Sequence, residues 1–502
     1  MSDITSLYTP SEAWDELLKK RRNYVRPMAA TWSGSHQELK ATARYGSFWK
    51  RNGKAKIHVP LAADIASVSA DMLFCERPRF SIYDDKTEKG ESVKQNRLDE
   101  IIRKNGLYNK LHEAAELASA GGDVFLKINY DQNARDYPVL MVVSTEYALP
   151  EWRLGELVCV HFFTLIKHER DGTRFWRLYE RYERGKIWSG VYQGDSGRLG
   201  TEVPGMLEEL GLEEELTLPV DLIAAVQVFN MKPSRIRNSP DDNGRSDFEG
   251  QRDQLDALDE AMSSWLRDIR LGKARLLLPV EYLRKRPDGM FSGDNKYTWE
   301  FDEDVETLVA LNIANDKDMS ITPSQFQIRS EQHAKTVETL IRNIISMAGY
   351  SPQSFGLDIV GSAQSGTALQ IREKKSYTTR GKKINYWDAP LEHIMTALLQ
   401  LDRAIYRTAG IHDSDRVQVE FPDVLTSDIG TVASAVSMLH NAQAASVETL
   451  VKMQHPEWSS RQVEDEVALV MKEYGVASPE AIVGAGDLHN PKIVQEDEDG
   501  ES

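Results

Sequence analysis

GQRDQLDALDEAMSSWLRDIRL, residues 250 to 271, is the most regular stretch of this chain. Its apolar residues Leu255, Leu258, Met262, Trp265 and Ile269 recur at intervals of three, four, three and four. That is one stripe of a helix, in the rhythm of helices packed along other helices. At 1.5 Å per residue the helix spans roughly 33 Å. A second stripe follows between Ser330 and Ala348, made by Val337, Leu340, Ile341, Ile344 and Ile345. Residues 274 to 328 between the two read as short strands and turns, such as Arg275 to Leu278 and Tyr297 to Phe301. Two rods therefore flank a compact β insertion. A helix with such a stripe wants a partner along its full length.

Upstream, Pro10 followed by Ser11 as N-cap, acids at Glu12, Asp15 and Glu16, and the basic run Lys19 to Arg22 predict a first helix. A second helix is expected over 37 to 49, a short strand over Ile57 to Val59, and a third helix from Ala62 to Phe74 that ends before Pro78. Residues 93 to 120 have helical spacing through Leu98, Ile101, Ile102, Leu107, Leu111, Ala115 and Ala118. From Asp123 the period shortens. Val124 to Tyr130, Val139 to Val143, Val158 to Ile166, Phe175 to Tyr182 and Ile187 to Tyr192 read as strands, with hairpin turns at Arg170–Thr173 and Glu183–Lys186. Residues 195 to 216 read as a loop or short helix before an apolar strand from Leu222 to Phe229.

Downstream, SPQSFGLDIVGSAQSG holds three glycines and four serines in sixteen residues and has little apolar periodicity, so a mobile loop is expected. A long helix is predicted from Thr367 toward Thr408, interrupted near Gly381 and kinked at Pro390. A strand at Val417 to Phe421 precedes helices over Ile429 to Val451 and Ser460 to Tyr474, the latter with Ser459 and Gln462 as a capping box. The acidic end QEDEDGES has the composition of a disordered tail. The fold class is mixed α+β and mainly helical.

Composition removes several function classes. The formal charge of −17 argues against a protein that grips nucleic acid tightly, because phosphates call for a basic surface. It does not argue against a conduit, whose walls must let the cargo go. No apolar run reaches the length of a membrane span and the first residues lack the pattern of a signal peptide, so no membrane partner is expected and synthesis is expected in the cytoplasm. Cys75 and Cys159 lie far apart among apolar residues and are expected to be buried free thiols. Gly361 to Thr367 has the glycine spacing of a phosphate-binding loop ahead of a helix, but the lysine that would hold the phosphates is missing. ATP hydrolysis is therefore the weaker reading. His161 and His168 match no metal pattern, and Asp123, Glu146, Glu151 and Glu180 show no acid/base spacing, so no metal site, cofactor or catalytic residue is assigned.

Three stretches carry a resemblance: KIHVPLAADIASVSADMLFCERP from Lys56, GRSDFEGQRDQLDALDEAMSSWLRDIR from Gly244, and AGYSPQSFGLDIVGSAQSGTALQIREKK from Ala348. With the order of parts from 250 to 408, they make the chain similar to the portal proteins of tailed bacteriophages, in particular the group resembling the portal of a Bacillus siphophage. The resemblance implies a non-enzymatic ring, a dodecamer, at one capsid vertex, in which a neighbouring copy lies on each side and the stripe residues Leu255, Leu258, Met262, Trp265 and Ile269 are expected to be stem oligomer contacts. It also implies a wing over 1–249 with a β-rich part at 123–230, stem helices at 250–272 and 329–349, and a clip at 273–328. A tunnel loop at 350–366, a kinked spine helix at 367–409, a wing return strand at 410–430, a helical crown at 431–490 and a disordered acidic tail at 491–502 complete the plan. The expected partners are viral double-stranded DNA in weak, non-specific contact, the terminase large subunit, a head-to-tail adaptor, and the major capsid and scaffolding proteins. Gln353, Ser354, Ser362, Gln364 and Ser365 are expected to touch DNA at the narrowest point through neutral side chains. Arg372, Lys374, Lys375, Arg380, Lys382 and Lys383 are either a solvated helix face or a basic belt on the tunnel wall. Other readings of the chain are an adaptor or minor capsid protein, or a degenerate P-loop packaging ATPase.

Overall fold

A computed structural model of the protein describes residues 7–35, 38–39, 57–82, 93–130, 135–170, 172–235, 242–272, 275–279, 308–311, 322–324, 328–357, 366–406, 410–422, 429–455 and 460–473. Their elements run in the order α1 (Pro10–Glu16), a π-helical turn (Leu17–Arg21), α2 (Arg22–Ser33), α3 (Leu61–Phe74), β1 (Arg79–Ile82), α4 (Val93–Asn105), α5 (Leu107–Gly121), β2 (Asp123–Asn129), β3 (Val139–Ser144), β4 (Ala148–Arg153), β5 (Glu156–His168), β6 (Phe175–Glu183), β7 (Lys186–Gly194), β8 (Thr201–Glu202), α6 (Met206–Glu209), β9 (Glu215–Thr217) and β10 (Ala225–Phe229). They continue with α7 (Arg252–Leu271), β11 (Arg275–Pro279), β12 (Leu308–Leu311), β13 (Thr322–Ser324), α8 (Ser330–Ala348), a 3-10 turn (Pro352–Phe355), α9 (Gly366–Tyr406), β14 (Val417–Glu420), α10 (Ile429–Asn441), α11 (Val447–Gln454) and α12 (Ser460–Glu473).

The first helix is capped two residues earlier than its sequence suggests. Thr9, not Ser11, is the N-cap, with Pro10 at the first helical position. Thr9 and Glu12 exchange side-chain-to-backbone hydrogen bonds of 2.9 and 3.3 Å in a capping box. Helices α4 and α5 divide at Gly106, whose φ of +58° a glycine accepts at little cost. The expected strand over 57–59 is absent. Its amides are taken instead by side chains of α7: Ile57 N donates to Ser263 Oγ at 3.0 Å and Val59 N to Asp259 Oδ1 at 2.8 Å. An alternating pattern needs a neighbouring backbone to become a strand, and here a helix lies alongside.

Three cores hold residues 1–422, the first of two compact units. In one, α4 and α5 pack on the antiparallel sheet β10-β2-β3 together with the second half of α9, where Trp387, Leu391, Ile394, Met395 and Leu398 are buried. Strand β14 pairs antiparallel with β1, Arg79 opposite Glu420. A second core joins α3, α7, α8 and Tyr350. The third lies between α1 and the sheet β4-β5-β6-β7-β8, to which β9 adds beside β7. Hairpin β6–β7 turns over Arg184-Gly185, with Glu183 opposite Lys186. Between the two rods, β11 pairs parallel with β12 and antiparallel with β13. The second unit contains α10, α11 and α12, with Leu450, Val451 and Val463 buried and Ser446 capping α11.

Several local expectations change. Helix α9 runs unbroken through Gly381 and Pro390. A proline removes one donor from the ladder without ending it, and Leu391, Ile394 and Met395 just beyond it are fully buried. Cys159 is buried but Cys75 is exposed. Cys75 caps the end of α3, its N–H bonded to Asp71 O. The expected helix over 37–49, the strand at Tyr297 to Phe301, the capping box at Ser459 and the tail lie wholly or largely outside the described residues.

Candidate nucleic-acid interface

The two rods pack on each other, and this assigns their stripes. Leu255 and Leu258 are buried beside Val337, Ile344, Ile345, Leu61 and Ile65. Met262 and Trp265 are half-buried on the same core, and Trp265 stacks on His333 with ring centroids 6.2 Å apart and planes 8° from parallel. His333 and Arg329 both reach Asp268 Oδ2, at 2.9 and 2.8 Å. These hydrogen bonds, His333 first, hold the Asp268 carboxyl below its usual range. Leu255 and Leu258, expected to be oligomer contacts, are thus buried within the subunit. The 3.5-residue rhythm is satisfied by a helix of the same chain. Ile269, 41% exposed, is the stripe residue left on the surface.

The chain leaves α8 through Gly349, at φ +100°, where a Cβ would stand 2.9 Å from Thr379 Oγ1. That close approach seats the end of α8 on α9: Thr379 Oγ1 donates to Gly349 O at 2.6 Å, and Ser351 N donates to Ser376 Oγ at 2.8 Å. Ser354 Oγ lies 2.8 Å from the same Ser376 hydroxyl, and Phe355 packs on the core of α7 and α8 beside Tyr350. The first residues of the expected mobile loop are therefore anchored. Residues 352–355 are a 3-10 turn that rests on α9, and Ser354 has its hydroxyl committed there. Gln353 belongs to the same turn. Ser362, Gln364 and Ser365 lie outside the described residues.

The six basic residues of α9 separate by their place on the helix. Lys383 is 1% exposed and its Nζ lies 2.5 Å from both Asp247 Oδ2 and Ser69 Oγ. Asp247 Oδ2 also accepts from Ser119 Oγ at 2.6 Å and Tyr350 OH at 3.0 Å, while Oδ1 accepts from Asn230 Nδ2 at 2.9 Å. Burial pushes the Lys383 ammonium below its ordinary range, and the Asp247 charge opposes that. Burial likewise carries the Tyr350 phenol well above its usual value. Arg380 is buried as well, with Nε on Met72 O at 2.7 Å and Nη2 on Pro422 O at 2.8 Å. Neither Arg380 nor Lys383 belongs to a surface belt, since their charges are spent fastening α9 to α3, to the segment before α7 and to the end of β14. Lys375 Nζ bonds Ser346 Oγ at 2.8 Å and the Ser346 carbonyl in the last turn of α8, where a cation meets the negative end of the helix. Lys374 and Lys382 are exposed, and Arg372 lies in the first turns of α9.

Asp247, Tyr350, Ser376 and Ser69 meet at the point where α7 begins and α8 ends. No spacing rule links them, because 136 residues separate Asp247 from Lys383. The glycines nearby were a visible signal: Gly122 and Gly244 approach so closely that a Cβ on Gly122 would stand 2.6 Å from Gly244 O. This contact sets the segment before α7 against the start of β2.

The family model for phage portal proteins of the SPP1 Gp6-like type matches residues 40–473. The chain belongs to this family. As a portal protein it is a structural component of the virion and assembles as a ring of copies of itself. Solved structures similar to it include the neck of an empty gene transfer agent (GTA) particle computed with C6 symmetry, 10% identical, covering 82% of this chain and 93% of that one at a TM-score of 0.44. The neck of the native GTA particle computed with C12 symmetry is 10% identical over 82% of this chain and 89% of that one, TM-score 0.41. The virion of the native particle gives 11% identity, 86% and 98% coverage and a TM-score of 0.39. All three scores fall below 0.5, so the assignment of this portal protein rests on the family match. No curated protein matches the chain.

Proposed function

We propose that this portal protein works without catalysis, as one of twelve copies around an axis through which viral double-stranded DNA enters and leaves the capsid. The family match over residues 40–473 carries the reading. In it the wing is 1–249, α7 and α8 are the stem, 273–328 is the clip that receives the terminase large subunit and later the head-to-tail adaptor, and 431–490 is the crown. The wing meets the major capsid and scaffolding proteins. Synthesis takes place in the host cytoplasm.

The geometry supports a narrower set of DNA-touching residues. Residues 350–357 form a footing on α9 through Tyr350, Ser351 and Ser354, so the contact falls to Ser362, Gln364 and Ser365 beyond it. Lys374 and Lys382, exposed on α9, with Arg372, are the candidates for a basic belt. Deleting 358–365 should leave rings visible in end-on electron micrographs and abolish DNA packaging. Unaltered packaging would remove the loop from the mechanism, and purified protein that never forms a ring with a central hole would remove the portal reading. ATP binding would favour the packaging ATPase, and particles without a stem would favour an adaptor.

A further inference from the structure

Away from the stem, hairpin β4–β5 closes on the two-residue turn Leu154-Gly155, and its register sets Glu151 opposite Cys159 at a bulge. Cys159 and His161 are alternate residues of β5 and share a face. Glu151, Cys159 and His161 are all buried, and one ligand atom from each lies within 4.8 Å of the others. Cys159 Sγ is 3.5 Å from His161 Nε2, which is 2.6 Å from Glu151 Oε1. The far nitrogen of the imidazole, Nδ1, is 3.0 Å from Tyr179 OH, and the ring stacks on Tyr179. The second carboxylate oxygen of Glu151 accepts from Leu7 N at 2.9 Å, and Tyr8 packs edge-on against the imidazole.

We propose that Glu151, Cys159 and His161 form a closed site for one divalent transition-metal ion, best suited to Zn²⁺, with a water in the fourth position. Thiolate and imidazole select zinc over the oxygen-seeking magnesium and calcium. For a tetrahedron with bonds of about 2.0–2.1 Å to nitrogen and 2.3 Å to sulfur, the N···S edge is about 3.5 Å, the separation of Cys159 from His161. The corresponding N···O edge is about 3.3 Å, so the Glu151 carboxylate withdraws from its hydrogen-bonded distance by roughly 0.7 Å. Tyr179 on Nδ1 and the Leu7 amide on the second carboxylate oxygen orient the ligands from outside. A thiolate and a carboxylate offset the two positive charges of the ion in a buried place. Binding expels the thiol proton, and any proton on Nε2, to solvent. Leu7, 64% exposed, belongs to a segment that lies against the site and would lift for entry.

The test uses the untagged full-length chain, purified with zinc in the medium and dialysed. Elemental analysis should find about one zinc per chain, and cobalt loading should give tetrahedral d–d bands with thiolate-to-metal charge transfer. Cys159→Ala and His161→Gln should lose both. Where a variant unfolds, the wild-type chain decides alone: its thermal midpoint should climb with added Zn²⁺ and return on chelation. A metal-free chain with no cobalt bands and a midpoint indifferent to zinc would overturn the site, as would zinc retained in folded Cys159→Ala.

Discussion

Replacing Lys383 by Met removes the buried cation that holds Asp247. Both side chains are essentially inaccessible, at 1% and 0%. Breaking such a pair costs about 3–5 kcal/mol, because the surviving charge stays buried without compensation. The structure orders the two single substitutions within that range. After Lys383→Met, Asp247 keeps three donors, Ser119, Tyr350 and Asn230, and these hold the anion, so the loss falls near 3 kcal/mol. After Asp247→Ala, Ser69 is the hydrogen-bond acceptor left to Lys383 among the described residues, and the three former donors lose the Asp247 carboxylate. The Tyr350 ring, 5.6 Å from the ammonium, remains as a weaker neighbour, and with three donors stranded the loss approaches about 5 kcal/mol. The double variant should be less destabilised than the sum of the singles, since it leaves no unpaired charge. Urea unfolding of the subunit, held too dilute to form rings and followed by tryptophan fluorescence, measures all four corners of the cycle. A loss below about 1 kcal/mol for Lys383→Met, typical of an exposed pair, or a reversed order of the singles, would refute a buried junction between α9 and the segment before α7.

His58 is half-buried on α7, its Nδ1 2.9 Å from Asp259 Oδ2, and that hydrogen bond raises the imidazole above its ordinary value. Such a pair stabilises fully below the unfolded imidazole pKa of about 6.5 and is lost as pH rises through the higher folded value. The thermal midpoint of wild type should therefore exceed that of His58→Gln most at about pH 6, with the gap narrowing toward about pH 8; a constant gap would show the imidazole to be uncharged. Ser376→Val strands the Ser351 amide at a cost of about 1–3 kcal/mol and should speed hydrogen exchange at Ser351 and its neighbours, while unchanged exchange would dissolve the footing on α9. Leu258→Ala should cost about 2–5 kcal/mol of subunit stability. Ile269→Ser should leave the subunit nearly unchanged and weaken ring assembly, as read by light scattering; the opposite pattern would return the stripe to the oligomer interface.

The rods, the β insertion and the run of strands after Asp123 were legible because each is a local pattern. Periodicity records which face of an element is apolar, and hairpin turns fix the neighbours of a strand within a few residues. The family, too, was visible in three stretches of sequence. What periodicity cannot carry is the partner. The stripe of Leu255 and Leu258 fits a neighbour in a ring as well as it fits α8, and only the tertiary packing chose α8. A run of basic residues gives the sign of the charge and not its surroundings. Lys374 and Lys382 meet water, whereas Lys383, one position along α9 from Lys382 and 100° around it, meets an aspartate 136 residues away. Glu151, Cys159 and His161 show the same division. The alternation of Cys159 and His161 is written in β5, but the register that brings Glu151 to them follows from the turn at Leu154-Gly155 and its bulge. A sequence fixes faces and signs one turn or one strand at a time, and burial, pairing and ligation arise only when distant segments exclude the same water.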